Sequence, residues 1–389
     1  MLVLPPLSLY IHIPWCVRKC PYCDFNSHES SSHEGKSIPE QEYVAQLLRD
    51  LQYDLPYVQD RPLQTIFFGG GTPSLFSGQA IKNILDGVRK KIPFADDIEI
   101  TLEANPGTAE AEKFHDFRDA GVNRLSIGVQ SFYPHHLQAL GRIHDSAQAK
   151  QAVQIAQAAG FTRINIDLMH GLPEQTVDEA LADLQQAIAL GVSHLSWYQL
   201  TIEPNTAFYN KPPVLPVDET LWDIQQAGLA LLQQHGFRQY EVSAFARDVD
   251  GSSQQCRHNL NYWQFGDYLG IGAGAHGKVT LPQENRILRY SKTRLPRHYL
   301  DRSDSYLAEQ HDLQQADLPF EFMMNALRLA DGVPNTLFSE RTGLALGSIN
   351  HQWQGLRRQG LVADNAARLV TSQQGYLFLN DVLTAFMAD

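Results

Sequence analysis

Over its first 240 residues the chain alternates short apolar runs with helix-period stretches, and that alternation restricts the fold more than any other feature. The apolar, β-rich runs are Leu7 to Ile13, Thr65 to Phe68, Ile98 to Leu102, Arg124 to Val129, Ile164 to Met169 and His194 to Leu200. Helical spacing fills Glu40 to Leu55, Gln79 to Lys91, Ala109 to Ala120, Ser146 to Ala159 and Val177 to Leu190. Gly121, Gly160 and Gly191 stand where helix C-caps are expected. Such alternation implies parallel strands joined by right-handed crossovers. About six units of this kind predict an α/β fold, a partial or full β/α barrel. The polar residues favour a barrel over a flat sheet, because each strand delivers something polar or Gly-rich to its C-terminal end. A cysteine cluster follows the first strand and Gly69-Gly70-Gly71-Thr72 the second. Glu103 and Asn105 follow the third, Gln130 the fourth, Asp167 the fifth and Gln199 the sixth.

Beyond Asp218 the pattern changes, which predicts a core over 1–240, a region over 241–315 that connects and carries an aromatic motif, and a C-terminal domain over 316–389. A helix from Asp218 to His235 and a strand from Gln239 to Ser243 lead into an aromatic, loop-rich stretch. The tail reads as helix, turn, helix, then short strands at Leu361 to Ala363 and Arg368 to Thr371 and a last helix. That order is winged-helix-like. Its second helix carries only Arg357 and Arg358 near its end, so packing is a better reading than DNA binding.

The composition narrows the setting. The chain has 389 residues, 43% apolar content and a formal net charge of −12. An acidic surface argues against nucleic acid as a partner, since phosphate must be neutralised by Lys and Arg. No apolar run approaches the roughly 20 residues of a transmembrane helix, and the N-terminus lacks the pattern of a signal peptide. A cytoplasmic location with reduced thiols is the expectation. Three of the four cysteines fall within eight residues, which in a reducing compartment points to metal rather than disulfides.

The motif is Cys16-Val-Arg-Lys-Cys20-Pro-Tyr-Cys23. Three thiolates can hold three irons of a [4Fe–4S] cubane and leave the fourth iron open to an amino and a carboxylate group, which S-adenosylmethionine (SAM) supplies. Zinc and buried free thiols are the alternatives. A structural zinc site wants four ligands, whereas one loop here provides three.

The C-x3-C-x2-C spacing, with an aromatic residue before the last Cys, resembles the radical SAM superfamily signature. Tyr10-Ile-His-Ile-Pro-Trp-Cys16 and Phe68-Gly-Gly-Gly-Thr-Pro73 are similar to the branch holding oxygen-independent coproporphyrinogen III dehydrogenase (HemN) and the HemW-type haem chaperones. The resemblance spans nearly the whole chain. It implies a cluster on Cys16, Cys20 and Cys23. It also implies a SAM pocket built from Tyr10, Tyr22, Gly70, Gly71, Thr72, Glu103, Gln130, Arg142 and Asp167. The glycine loop is expected to offer backbone N–H groups to SAM, and Glu103 to accept from ribose hydroxyls.

One departure discriminates within that branch. The dehydrogenase motif continues with a further Cys two residues after the third, where this chain has Phe25. That argues against dehydrogenase activity, although whether SAM is cleaved is not legible in the sequence. The second marker is His258-Asn-Leu-Asn-Tyr-Trp263. By its residues alone it reads as a core aromatic cluster around a hydrogen-bonded histidine. The resemblance makes it the H-N-x-x-Y-W haem motif, with His258, Asn259, Tyr262 and Trp263 as haem-binding residues on an open, loop-rich segment.

The implied function is a haem chaperone with haem as cargo. The implied partners are haem-receiving proteins such as membrane respiratory enzymes, and a homodimer is left open. The alternatives are the dehydrogenase itself and a radical SAM enzyme acting on another substrate.

Three weaker features complete the reading. Gly272 to Gly277 matches G-x-G-x-x-G formally, but follows no clear strand and precedes no helix, so it is read as closing the SAM or substrate cavity. The basic stretch Arg286 to Arg302 reads as a solvated loop. His28 and His33, in the Ser-rich loop Ser27 to Ser37, read as exposed on a mobile segment.

Overall fold

The computed structural model describes residues 1–30 and 38–387. His33 and the rest of 31–37 in the Ser-rich loop lie outside the described residues.

Six parallel strands form the centre: β1 (Leu7–Ile13), β2 (Leu63–Gly70), β3 (Phe94–Ala104), β4 (Arg124–Gln130), β5 (Arg163–His170) and β6 (His194–Gln199), hydrogen-bonded in that order. Six of the seven β1 residues are buried, as expected of a strand covered on both faces in a parallel sheet. The crossovers include α1 (Glu40–Asp54), α2 (Gly78–Arg89), α3 (Phe114–Ala120), α4 (Ser146–Ala158) and α5 (Val177–Ala189), followed by α6 (Asp218–Gln234). Capping boxes start α4 (Asp145 with Gln148) and α5 (Thr176 with Glu179), each satisfying backbone donors that would otherwise lack a partner. Gly121, Gly160 and Gly191 take the left-handed conformation that ends α3, α4 and α5.

The sheet does not close. At one edge β7 (Arg238–Glu241) and β8 (Ala244–Ala246) add antiparallel, with β8 against β6. At the other edge β9 (Asp267–Ile271) lies parallel to β1. It is followed by β10 (His276–Leu281), β11 (Arg286–Lys292) and β12 (Leu307–Asp312), all antiparallel. The result is a twelve-stranded partial barrel with β7 and β12 at its ends.

This second extension corrects the sequence reading of 241–315 as a connecting region. Gly272 to Gly277 does follow a strand, and makes the β9–β10 turn. Arg286 to Lys292 is a strand rather than a solvated loop, and its charges are engaged. Lys292 Nζ donates to Asp50 Oδ1 at 2.7 Å and Asp54 Oδ1 at 2.8 Å, which ties β11 to α1. Asp267 accepts from Arg61 at 2.8 Å and Lys278 at 3.0 Å. The segment Arg257–Trp263 is likewise not open loop but the helix α7, packed on β2.

The C-terminal domain, with α8 (Leu318–Ala326), α9 (Asn335–Thr342) and α10 (Asn350–Arg358), is α+β. It has its own apolar core of Phe322, Met323, Phe338, Leu356 and Val382, closed by Leu2 and Phe265 from the sheet domain. The strand expected at Leu361 to Ala363 is reduced to a single Val362–Thr371 bridge, while Arg368–Leu369 pairs with Val333–Pro334. Arg357 is engaged by Asp364. Among the described residues no helix is long and apolar enough to cross a membrane.

Candidate functional site

Past the end of β1 the chain turns into the loop that carries Cys16, Cys20 and Cys23, and all three line one cavity of about 400 Å³. Cys16 is buried, and burial pushes its thiol up to about 11. A metal in place of that proton would relieve the penalty. Arg142 places Nη1 at 3.6 Å from Cys20 Sγ, while its Nη2 donates to Asn105 Oδ1 and to the Gly128 carbonyl, each at 2.7 Å. A guanidinium fixed in this way sets a positive charge beside one of the three cysteine sulfurs. Cys256 is elsewhere, at the start of α7, with Sγ at 3.6 Å from Glu99.

The same cavity gathers Tyr22, Gly70, Gly71, Thr72, Glu103, Gln130, Arg142 and Asp167. These are the expected SAM residues except Tyr10. Tyr10 instead lines a second cavity, which also takes in Asp24, Phe25 and Asn26 of the thiol loop; its hydroxyl donates to His12 Nδ1 at 3.1 Å. The sixth strand also corrects the reading: Tyr198 lines the cavity and Gln199 is exposed, since alternation sends neighbours to opposite faces.

The glycine loop works differently from the expectation. Its N–H groups are taken by the protein itself: Gly70 donates to Glu103 at 3.2 Å, Gly71 to the Ile13 carbonyl and Thr72 to the Trp15 carbonyl, each at 2.7 Å. Glycine is needed for close packing. Gly70 has φ +112°, and a Cβ there would sit 2.4 Å from the His12 ring. A Cβ on Gly71 would sit 2.6 Å from the Trp15 carbonyl oxygen. The loop therefore clamps the start of the thiol loop onto β2.

Across the cavity Gln130 holds φ +69° at a register shift in β4. A non-glycine residue in that conformation is strained and persists where its surroundings fix it, here through Tyr198 Oη donating to Gln130 Oε1 at 2.8 Å. Glu103 is raised to about 8, first by burial and then by Asp167. Burial raises Asp167 too, against bonds from Ser126 at 2.9 Å and Asn165 at 2.7 Å. Two half-buried carboxyl groups lining one cavity suit a ligand bearing an ammonium, a sulfonium and ribose hydroxyls, which SAM is. Sequence reasoning missed Ser126, Gly128 and Tyr198. The spacing of Ser126, Gly128 and Gln130 along one strand was the available signal.

The donor set fits a cubane cluster and SAM: three thiols on one loop, a fixed cation beside one of them, and a polar cavity opening from them. Comparisons with known proteins agree. A radical SAM superfamily model matches residues 10–187 and a HemN C-terminal domain model matches residues 313–378. The heme chaperone HemW of Escherichia coli K12 is 54% identical over 389 residues, covering 100% of both chains.

The chain belongs to the HemW branch of the radical SAM superfamily.

HemW of Haemophilus influenzae is 52% identical with 99% of both chains covered, and HemW of Bacillus subtilis 33% identical over 98% of this chain and 99% of its own. The solved structure of E. coli coproporphyrinogen III oxidase (HemN) shares the fold, with a TM-score of 0.80, 23% identity, and coverage of 98% of this chain and 90% of that one. The chain thus uses the superfamily's [4Fe–4S] and SAM machinery: Cys16, Cys20 and Cys23 would hold the cluster, which would offer an electron to SAM held in the adjoining cavity.

The motif of the HemW branch is only partly where the sequence put it. Tyr262 and Trp263 line a second cavity of about 750 Å³. His258 and Asn259 are not among its lining residues. His258 is buried behind the wall, stacked on Phe67 at 5.0 Å, and burial lowers its ring to about 3. His28, expected to be exposed, is half-buried and bonded to Asn26 Oδ1 at 3.2 Å. The two cavities meet at Phe25, which lines both.

Proposed function

We propose that this HemW-branch protein is a haem chaperone that carries haem in the second cavity, beside the cluster and SAM, and hands it to haem proteins. The carrying observation is the second cavity itself. Its volume of about 750 Å³ falls within the roughly 300–1,000 Å³ of cofactor sites. Phe25, Tyr262, Trp263, Phe265 and Tyr268 give it flat aromatic walls suited to a porphyrin face. Lys278, Arg289 and Arg294 give it cations suited to propionates. Asp24, Phe25 and Asn26 of the thiol loop form one side, so cargo lies next to the cluster.

Recipients are haem proteins, with membrane respiratory enzymes as the class to try first, reached from the cytoplasm. In this reading a dimer is not required, because one chain supplies the whole cavity. The test is to titrate ferric haem into the purified protein, then mix the complex with an apo-haem protein. One-to-one binding followed by transfer supports the reading. Conversion of coproporphyrinogen III in the presence of SAM and reductant would replace it with the dehydrogenase reading.

A further inference from the structure

The second cavity is one face of the β1 and β9–β12 part of the sheet. Tyr10 and His12 of β1, Tyr268 of β9, His276 and Lys278 of β10 and Arg289 and Ser291 of β11 all line it. Register explains why: Tyr268 pairs with Lys278, His276 with Ser291 and Lys278 with Arg289, so these side chains rise from the same side. An iron porphyrin held there needs a ligand with a free lone pair, and neutral imidazole is the usual one.

Of His12, His258, Tyr262 and His276, the first three are committed elsewhere. His12 Nδ1 accepts from Tyr10 and its Nε2–H donates to the Asn26 carbonyl at 2.9 Å. His258 is bonded at both nitrogens, to Thr65 and to Tyr262. Tyr262 bonds His258, and burial holds its phenol well above the ordinary value, far from the phenolate that binds iron. His276 is different. It is exposed to the cavity, and among the described residues its ring makes no hydrogen bond or ion pair. Partial burial, with Arg289 and Arg294 beside it, keeps the ring below its usual value despite Glu309, so the neutral form is favoured.

We propose that His276, at the turn into β10, is the axial ligand to haem iron in this cavity, and that Arg294 binds a propionate. This rests on the haem-carrying reading above and names its ligand. Arg294 has no ion-pair partner among the described residues, whereas Arg289 is held by Glu321 at 2.5 Å and Lys278 by Asp267. One accessible imidazole also suits cargo that must leave, since affinity differences between related complexes fall mostly on the off-rate.

The experiment titrates ferric haem into the full-length, cluster-reconstituted protein and into His276→Ala, His276→Gln, His258→Ala and Arg294→Glu. It follows the Soret band and the ligand signature by electron paramagnetic resonance. Both His276 variants are expected to bind at least about tenfold more weakly, with a shifted Soret band. Added imidazole should restore the parent spectrum in His276→Ala. Arg294→Glu should weaken haem but not its dimethyl ester. Because His276 is exposed, its variants should keep the parent's circular dichroism and cluster absorption. Parent-like haem spectra and affinity in both His276 variants would overturn the assignment, as would loss of imidazole ligation in His258→Ala with its retention in His276→Ala. A parent that binds no haem overturns the haem-carrying reading itself, a separate result.

Discussion

Nδ1 of His258 lies 2.7 Å from Oγ1 of Thr65 on β2, and this contact decides what the ring can do. Thr65 donates its own hydroxyl proton to Ser8 at 2.8 Å, so it accepts from Nδ1–H. That leaves the His258 lone pair on Nε2, where Tyr262 Oη approaches to 3.0 Å. The histidine of the haem motif is thus a brace. It sets the position of Tyr262, which does reach the cavity.

Removal of the brace should cost stability. His258→Ala strands the Tyr262 hydroxyl and opens a void beside Phe67, so unfolding free energy is expected to fall by about 1–3 kcal/mol. Urea denaturation of the full chain checks this. An unchanged midpoint would mean that the ring contributes nothing to the fold.

The thiol set makes the simplest chemical prediction. Reconstitution under anaerobic conditions should give about four irons per chain, and Cys16→Ala, Cys20→Ala and Cys23→Ala should each abolish the broad visible absorption. Cys256→Ala should keep it, because that thiol is buried against Glu99 at the start of α7. Iron and sulfide analysis decides the matter, and cluster loss in the Cys256 variant would point to a different ligand set.

Glu103 links the SAM cavity to pH. Its carboxyl is raised from 4.5 to about 8 in the folded chain, so the folded state holds a proton that the unfolded state has released. Stability without SAM should therefore decline as pH rises from about 4.5 toward 8. Glu103→Gln should flatten that decline and, at pH 8, leave the SAM-free chain at least as stable as the parent. Above about pH 8, where the carboxyl is ionised, the same variant should bind SAM more weakly by roughly 1.5–3 kcal/mol, the size of a hydrogen bond to a charged group. Thermal melts across pH and SAM calorimetry report the two effects independently. A parallel decline in both proteins would show that Glu103 does not hold the extra proton.

Gly70→Val is expected to damage more than SAM binding. The added Cβ meets the His12 ring at 2.4 Å, and His12 lines the second cavity. Loss of both SAM and haem affinity is the expected result. Selective loss of SAM affinity alone would show that His12 can move aside.

The ion pairs that hold the extension strands make a final case. Lys292→Met leaves Asp50 and Asp54 buried without their cation, a change worth roughly 3–5 kcal/mol. A large drop in melting temperature should follow. A small one would mean that the carboxylates take up protons at little cost.

The thiol spacing and the strand–helix alternation were written in local pattern, because each depends on neighbours within a few positions of the chain, whereas the eight cavity-lining residues expected to meet SAM came from the family resemblance. The extension strands were not legible. Their cores hold Asp267, Lys278 and Lys292, whose charges are matched only by Arg61, Asp50 and Asp54 more than two hundred residues earlier or by each other across β9 and β10. Such residues break the apolar periodicity that marks a buried strand. The roles of the histidines were hidden for the same reason. Sequence placed His258 four residues from Tyr262, but only the packing of α7 on β2 brings Thr65 to its other nitrogen. Nothing near His276 in the chain shows that its ring is left without a partner among the described residues, because that is decided by the strands and loop that assemble around it.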